Sequence, residues 1–482
     1  MSTWLPAFLF FLATANTISC TSRDRELVQA ALAEIRTATD WARASLGLLD
    51  LDQEREINDY HHVGVPLADC FKLYEEADPR LRRLVSSHGY TWDDAVTWLS
   101  GALASHRSCL DGLEEKGLLA QAPLVARNLT VLLREGLALH RTGKKGYRSR
   151  SNENYEGVLA SWNAASSKAD LVVAQDGSGN HRTITAAVAA LAHQGRSGRA
   201  IIYVKSGVYK EKVEIKGSIK NLMLVGDGID KTIVTGNKNV VDGATTLSSA
   251  TFGVSGDGFW ARDITFENTA GPQKNQAVAL RVSSDLAVFY RCSIKGYQDT
   301  LYIHSQRQFY RDCHIYGTVD FIFGDSPAVF QNCDIFVRRP MDHQSNMITA
   351  QGRDDPNENT GISIVNSRVV AAPEFGDVKG RFRSYLGRPW KRYSRTVFLK
   401  TNLDGLIDPK GWTEWRGDFA LSSLYYGEYM NSGAGASTAG RVRWPGFHVI
   451  SDAREASSFA AKNFIQGDQW IPASGVPFWA EV

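Results

Sequence analysis

Asp299 and Asp320, 21 residues apart, are the pair of side chains whose spacing most invites chemistry. Gln298 precedes the first, and Gln276 lies 22 residues before Gln298. Nearby repetition gives these intervals meaning. Phe289-Tyr290-Arg291-Cys292-Ser293-Ile294 is echoed by Tyr310-Arg311-Asp312-Cys313-His314-Ile315 and by Phe330-Gln331-Asn332-Cys333-Asp334-Ile335, with closing isoleucines 21 and 20 residues apart. A repeat of that length fits one turn of a solenoid. Residues one turn apart then stack at the interstrand distance of roughly 4.8 Å, and two carboxylates and two amides converge on one face.

Carboxyl groups that close cannot both ionise easily, so one keeps a proton while the other does not. A guanidinium beside one of them selects it as the anion. Arg388, in Leu386-Gly387-Arg388-Pro389-Trp390, is the candidate, and Trp390 offers a flat face to a sugar ring. Paired carboxylates suit glycoside cleavage, but the glutamines favour acyl chemistry, because an oxyanion needs donors and an oxocarbenium ion does not. The competing reading is that Asp and Gln in solenoid turns merely satisfy backbone groups.

The elements that must position this set divide the chain in two. After Ala169, short β-branched and aromatic runs follow one another with little helical pattern, apart from an Ala-rich stretch around Ile184 to Ala192. Looser echoes at Trp260-Ala261-Arg262-Asp263-Ile264 and Ile364-Val365-Asn366-Ser367-Arg368-Val369 extend the repeat. Strands without intervening helices argue for a parallel β-helix over a leucine-rich repeat, with the longer gaps carrying loops. A β-sandwich has no reason to repeat a Cys-x-Ile ending.

Before that, from Arg25 to about His140, apolar residues recur every three or four positions, as in Leu27, Ala31, Leu32, Ile35 and in Leu129, Leu132, Leu133, Leu137. Four amphipathic stripes predict a four-helix bundle, its second helix kinked or broken at Pro79. Residues 142–168 read as a polar linker, whose basic cluster Lys144, Lys145, Arg148 and Arg150 is either a protease site or an uncut connector. The apolar run Leu5 to Ala13 reads as the core of a signal peptide over residues 1–19, and Asn128-Leu129-Thr130 is a glycosylation sequon.

Five ordered motifs carry a family resemblance: Gly207-Val208-Tyr209-Lys210-Glu211, Gln276-Ala277-Val278-Ala279-Leu280, Gly296-Tyr297-Gln298-Asp299-Thr300-Leu301-Tyr302, Gly317-Thr318-Val319-Asp320-Phe321-Ile322-Phe323-Gly324, and the Leu386–Trp390 segment. From about Asp170 onward the chain resembles plant-type pectin methylesterases. Its helical part, residues 20–141, resembles their invertase/pectin methylesterase inhibitor-like pro-region, through Leu67-Ala68-Asp69-Cys70 and Trp98 to Gly112. The resemblance implies a right-handed parallel β-helix over 169–482 and hydrolysis of galacturonate methyl esters in pectin, releasing methanol. It implies Asp320 as nucleophile, Asp299 as acid then base, Gln298 and Gln276 as oxyanion donors and Arg388 as orienter of Asp320. Thr246, Gln276, Arg388 and Trp390 would bind substrate. No metal or organic cofactor is implied. The expected partners are pectin and the chain's own inhibitor-like region, with no nucleic acid or membrane, in a monomer secreted to the cell wall.

Cys70 and Cys109 fall on apolar faces of neighbouring helices and resemble a pair retained in the family. Cys20 sits at the signal boundary. Stacking permits Cys292–Cys313 or Cys313–Cys333; the resemblance implies the latter, leaving Cys292 a buried thiol. Where the family continues Gly-Asn-Ala, this chain reads Gly324-Asp325-Ser326. A bulge at Gly324 would return that extra carboxylate toward the catalytic pair. From Ala169 onward 35 Lys and Arg face 31 Asp and Glu; the small excess suits an acidic substrate or simply solubility. The other readings are a pectin-chain hydrolase, a lyase, which would want a calcium-binding acidic cluster, or a non-catalytic wall protein. Methanol release separates the esterase from all three.

Overall fold

The protein is described here from a computed structural model covering residues 22–51, 63–86, 89–121, 125–140, 157–192 and 198–482. The expected signal peptide, Cys20 and the basic cluster of the linker lie outside these residues. From Leu171 the chain winds through three parallel sheets of 11, 7 and 8 strands, the expected parallel β-helix.

One device recurs from coil to coil. Asp263, Arg291, Asp312, Asn332, Asn366 and Lys400 all have φ between +47° and +58°, the left-handed region that Asn and Asp tolerate best. Each ends a strand of the eleven-stranded sheet and turns the chain into the eight-stranded one. The sequence echoes are therefore copies of this turn. Ile294, Ile315, Ile335 and Val369 are register partners, as the repeat predicts. The echo ending at Ile264 is displaced, because Ile294 pairs with Phe266. Asp263 is the turn residue, so Ile264 belongs to the Cys292 position. Inside the coil, the rings of Phe289, Tyr310 and Phe330 stack nearly parallel, with centroids 4.9 and 4.5 Å apart.

The implied Cys313–Cys333 disulfide is absent: Cys292, Cys313 and Cys333 are buried free thiols. Side chains stacked in register on parallel strands keep their Cβ atoms near the interstrand spacing of about 4.8 Å, whereas a disulfide draws them to about 3.8 Å. The thiols of Cys313 and Cys333 instead donate to backbone carbonyls, Arg311 at 3.4 Å and Gln331 at 3.5 Å.

Among the described residues, four helices of 16 residues or more precede the coils: α1 (Ser22–Leu51), α2 (Val65–Ser86), α3 (Trp92–Glu115) and α4 (Val125–His140). Thr91 and Asp94 form a reciprocal capping box that starts α3. The expected Cys70–Cys109 disulfide joins α2 to α3. Pro79 does not break α2; it costs one backbone hydrogen bond, and the burial of Ala77 and Leu81 on either side holds the helix through it. Residues 157–168, read as linker, are partly packed: Leu159 and Trp162 are buried against the eleven-stranded sheet and the C-terminal segment. Two apolar residues in a polar run suffice to anchor it.

The bundle core does not end at the helices. Leu247, Ala250, Val278, Tyr302, Phe323 and Ala350 of the β-helix join it, so the bundle lies on the outer face of the seven-stranded sheet.

Candidate active site

That covered face carries the reactive pair. Ile322 is the register partner of Leu301, so Asp320 and Asp299, two residues earlier on each coil, stack as the 21-residue interval predicts. Both adopt positive φ, 52° and 62°, as in the closing turns. The turn lifts each carboxyl onto the sheet face.

Arg388 holds Asp320 with two parallel bonds, Nε to Oδ1 at 2.8 Å and Nη2 to Oδ2 at 2.6 Å, a bidentate charge-assisted pair. Its guanidinium also lies 4.3 Å from the Trp415 ring centroid. Burial raises both carboxyls. In Asp320 the guanidinium opposes burial. In Asp299 burial, the charge of Asp320 and the charge of Glu115 push the same way, well above the usual carboxylate range, with Arg388 opposing. The bidentate guanidinium thus favours ionisation of Asp320 over that of Asp299.

A cavity of about 240 Å³ opens above them. Gln276, Gln298, Thr246, Arg388 and Trp390 all line it, so every expected active-site and substrate-contact residue is brought together. Tyr302 and Phe323, stacked at 4.3 Å, form its floor, and Trp390 meets Phe323 edge-on at 6.1 Å. Tyr302 and Phe323 stand inside the family-like motifs, so their role was open to inference. Trp415 lies in no motif and carried no signal. Among the described residues no group of three or more His, Cys, Asp or Glu is arranged to hold a metal ion.

Asp325 does not return to the pair. Gly324 turns at φ +130°, where a Cβ would collide with the Ile303 carbonyl, and Asp325 accepts hydrogen bonds from Thr360 Oγ1 at 2.5 Å and Gln351 Nε2 at 3.3 Å. The outside carboxylate that acts on Asp299 is Glu115.

Glu115 belongs to α3, whose last two turns line the cavity with Ser108, Asp111 and Gly112. Its carboxylate accepts from Thr246 N at 3.0 Å and Thr246 Oγ1 at 2.8 Å. Asp111 accepts from Lys391 at 2.9 Å, and Ser108 lies 3.0 Å from both Tyr302 Oη and His304 Nε2. These contacts join residues more than 130 positions apart, and no spacing announced them.

Fold and site together define a class: a hydrolase with a paired-carboxylate centre on a parallel β-helix, covered by a helical bundle. Known proteins agree. The family described as Pectinesterase matches residues 170–468, and that described as plant invertase/pectin methylesterase inhibitor matches residues 11–139. "Probable pectinesterase/pectinesterase inhibitor 36" of Arabidopsis thaliana is 58% identical over 99% of this chain and 98% of its own. Pectinesterase 2 of Citrus sinensis is 52% identical over 85% of this chain and 80% of its own. The carrot pectin methylesterase structure superposes with a TM-score of 0.65 and 52% identity, covering 66% of this chain and 100% of that one. The Aspergillus niger enzyme gives 0.54 and 34%, covering 62% and 94%. The chain belongs to the Pectinesterase family. It is a carboxylic ester hydrolase that removes methyl esters from pectin.

Proposed function

We propose that Asp320 is the nucleophile. Its carboxylate oxygen attacks the carbonyl carbon of a galacturonate methyl ester, giving a tetrahedral oxyanion to which the Gln298 and Gln276 amides donate. Collapse breaks the bond to methoxide, which takes the Asp299 proton and leaves as methanol. Asp299, now a carboxylate, removes a proton from water; that water attacks the acyl-enzyme, and the galacturonate carboxylate and Asp320 are released. Arg388 keeps Asp320 ionised and oriented, Trp390 stacks on the sugar, and Thr246 binds it. The bidentate Arg388–Asp320 pair is the observation that carries these roles.

The helical region acts as an intramolecular inhibitor. With Glu115 on the N–H and hydroxyl of Thr246, a sugar cannot occupy that position while α3 is docked. The protein functions as a single chain, secreted to the plant cell wall. Asn128 is exposed on α4 and open to a glycan; no described helix is long and apolar enough to cross a membrane.

The test is methanol release by Asp320→Asn, an isosteric change to a poor nucleophile. Release falls to background while circular dichroism stays native. Substantial turnover by the folded variant removes Asp320 from the role.

A further inference from the structure

Gly296 and Gly317 begin the turns that present Asp299 and Asp320, and they occupy one position of the repeat, since Lys295 and Tyr316 before them are register partners. On the next coil that position is Val337, the partner of Gly317 and the last residue of its strand in the eight-stranded sheet. There the pattern breaks. The first two connections to the seven-stranded sheet take residues 296–300 and 318–321, whereas the third takes 338–345. Arg338 opens that longer connection and falls in none of the five family-like motifs.

Arg338 bonds to both turns below it. Its backbone N–H donates to Gly317 O at 2.8 Å. Its side chain reaches back over that coil to the one beyond, where Nη1 donates to Gly296 O at 2.9 Å and Nη2 to Tyr297 Oη at 2.9 Å. The guanidinium lies 3.9 Å from the Tyr297 ring centroid, and Nε, on its outer edge, donates to the exposed Glu374 carboxylate at 2.7 Å. One side chain thus grips the two residues that immediately precede Gln298 and Asp299, while its own backbone is tied to the turn of Asp320.

Those turns need holding. Asp299 and Asp320 both sit at positive φ, a conformation that persists only where the surroundings fix it. Arg338 lines no part of the cavity above the pair, and the charges that act on Asp299 are those of Asp320, Glu115 and Arg388. Its contribution passes through the turns.

We propose that Arg338 is a positioning residue of the reaction, a strap across three coils that sets the Gln298–Asp299 turn against the Asp320 turn, so that oxyanion donor and acid meet the nucleophile in place. The inference rests on the roles assigned above to those three residues. A guanidinium suits the task, because its planar fork is always charged and offers several donors at once, here to a carbonyl, a phenol and a carboxylate. A misplacement of reacting groups by about 1 Å costs on the order of 10²-fold in rate.

The experiment measures initial methanol release from methyl-esterified pectin by the full chain across pH, with circular dichroism on each preparation. Arg338→Met keeps the stem and removes the donors; kcat falls by about 10–100-fold, KM is unchanged and the spectrum stays native. Arg338→Lys, which retains one donor group, recovers part of the loss, and Glu374→Gln, which touches only the outer edge, leaves kcat unchanged. The pH profile separates positioning from folding. As the turns part, Asp320 recedes from Asp299, the charge that raises the acid's titration weakens, and the alkaline limb of kcat moves to lower pH. Partial unfolding scales the profile without moving it. An undiminished kcat in folded Arg338→Met overturns the proposal, as does a loss with an unshifted profile. The same two readouts on Arg338→Lys decide the matter where Arg338→Met loses its native spectrum. Asp320→Asn in the same series separates the failures: release by that variant removes the assigned roles, whereas its silence beside an unimpaired Arg338→Met removes only the strap.

Discussion

Asp299 and Asp320 share the guanidinium of Arg388; Asp325 and Glu358 share that of Arg107. Both pairs are buried, and in both a second carboxylate pushes its neighbour's titration upward, well above the ordinary range for Asp299 and Asp325. Their surroundings separate them. The first pair opens onto a cavity of about 240 Å³ with two amide side chains at its wall. The second adjoins a space of about 10 Å³, room for one water at most. Glu358 accepts from the backbone N–H groups of Asp354 and Asp355 at 3.0 and 2.8 Å and from Arg107 at 3.1 Å. Arg388 comes from the same domain as its pair, whereas Arg107 comes from α3. On the proposed mechanism one pair is an acid and an anion that await a substrate; the other joins bundle and β-helix. Perturbed carboxyls alone do not make a site, and space and unspent donors decide.

After the loss expected of Asp320→Asn, the largest effect that could break this contrast is at Asp299. Asp299→Asn removes the leaving-group proton and lowers the rate of methanol release by about 10²–10⁴-fold. A rate within a few-fold of the unaltered protein removes Asp299 from the acid role. Gln298→Ala comes next, with kcat down by about 10²–10³-fold and KM little changed, because the oxyanion exists only near the transition state. A change confined to KM makes it a substrate contact instead.

At the second pair the expected effects are smaller and of another kind. Arg107→Ala removes the cation that α3 offers to the Glu358 and Asp325 carboxyls, loosens α3, and raises methanol release severalfold while speeding hydrogen exchange in α3. Unchanged exchange shows that Arg107 does not hold the bundle. Asp325→Asn has the smallest effect, and its sign follows from linkage. The folded state raises this carboxyl, chiefly through burial and then through Glu358, so folding binds protons here. The penalty is absent below the unfolded value near pH 4 and grows as pH rises toward the folded one. Asp325→Asn therefore raises the melting temperature at neutral pH, and the gain vanishes in acid. A gain that is equal at both ends shows that ionisation is not its cause.

The sequence made the repeating parts of this protein legible and hid the unique ones. The 21-residue interval places Asp320 above Asp299 because the coils that carry them repeat the same left-handed turns, and Arg388 and Trp390 follow from a motif. The repeat left two cysteine pairings open and the resemblance misled in favouring one: Cys313 and Cys333 stand at strand spacing and stay reduced. Local rules also failed where packing overrode them, at Pro79 within α2 and at Leu159 and Trp162 in the expected linker. The Glu115–Thr246 and Arg107–Glu358 contacts have no periodicity, since they depend on how two separately folded surfaces meet. Asp325 was noticed as a departure, but its partner lies 218 residues earlier in the chain, where no motif points.

The central claim is that a competent Asp320–Asp299 centre lies beneath α3. The most direct measurement is initial methanol release from methyl-esterified pectin by the full chain and by residues 157–482 alone, the portion whose carrot counterpart stands as an independent chain. Separated residues 157–482 release methanol faster than the full chain, and Asp320→Asn abolishes release by them. Equal rates with and without the helical region, or undiminished release by the Asp320→Asn variant, contradict the account.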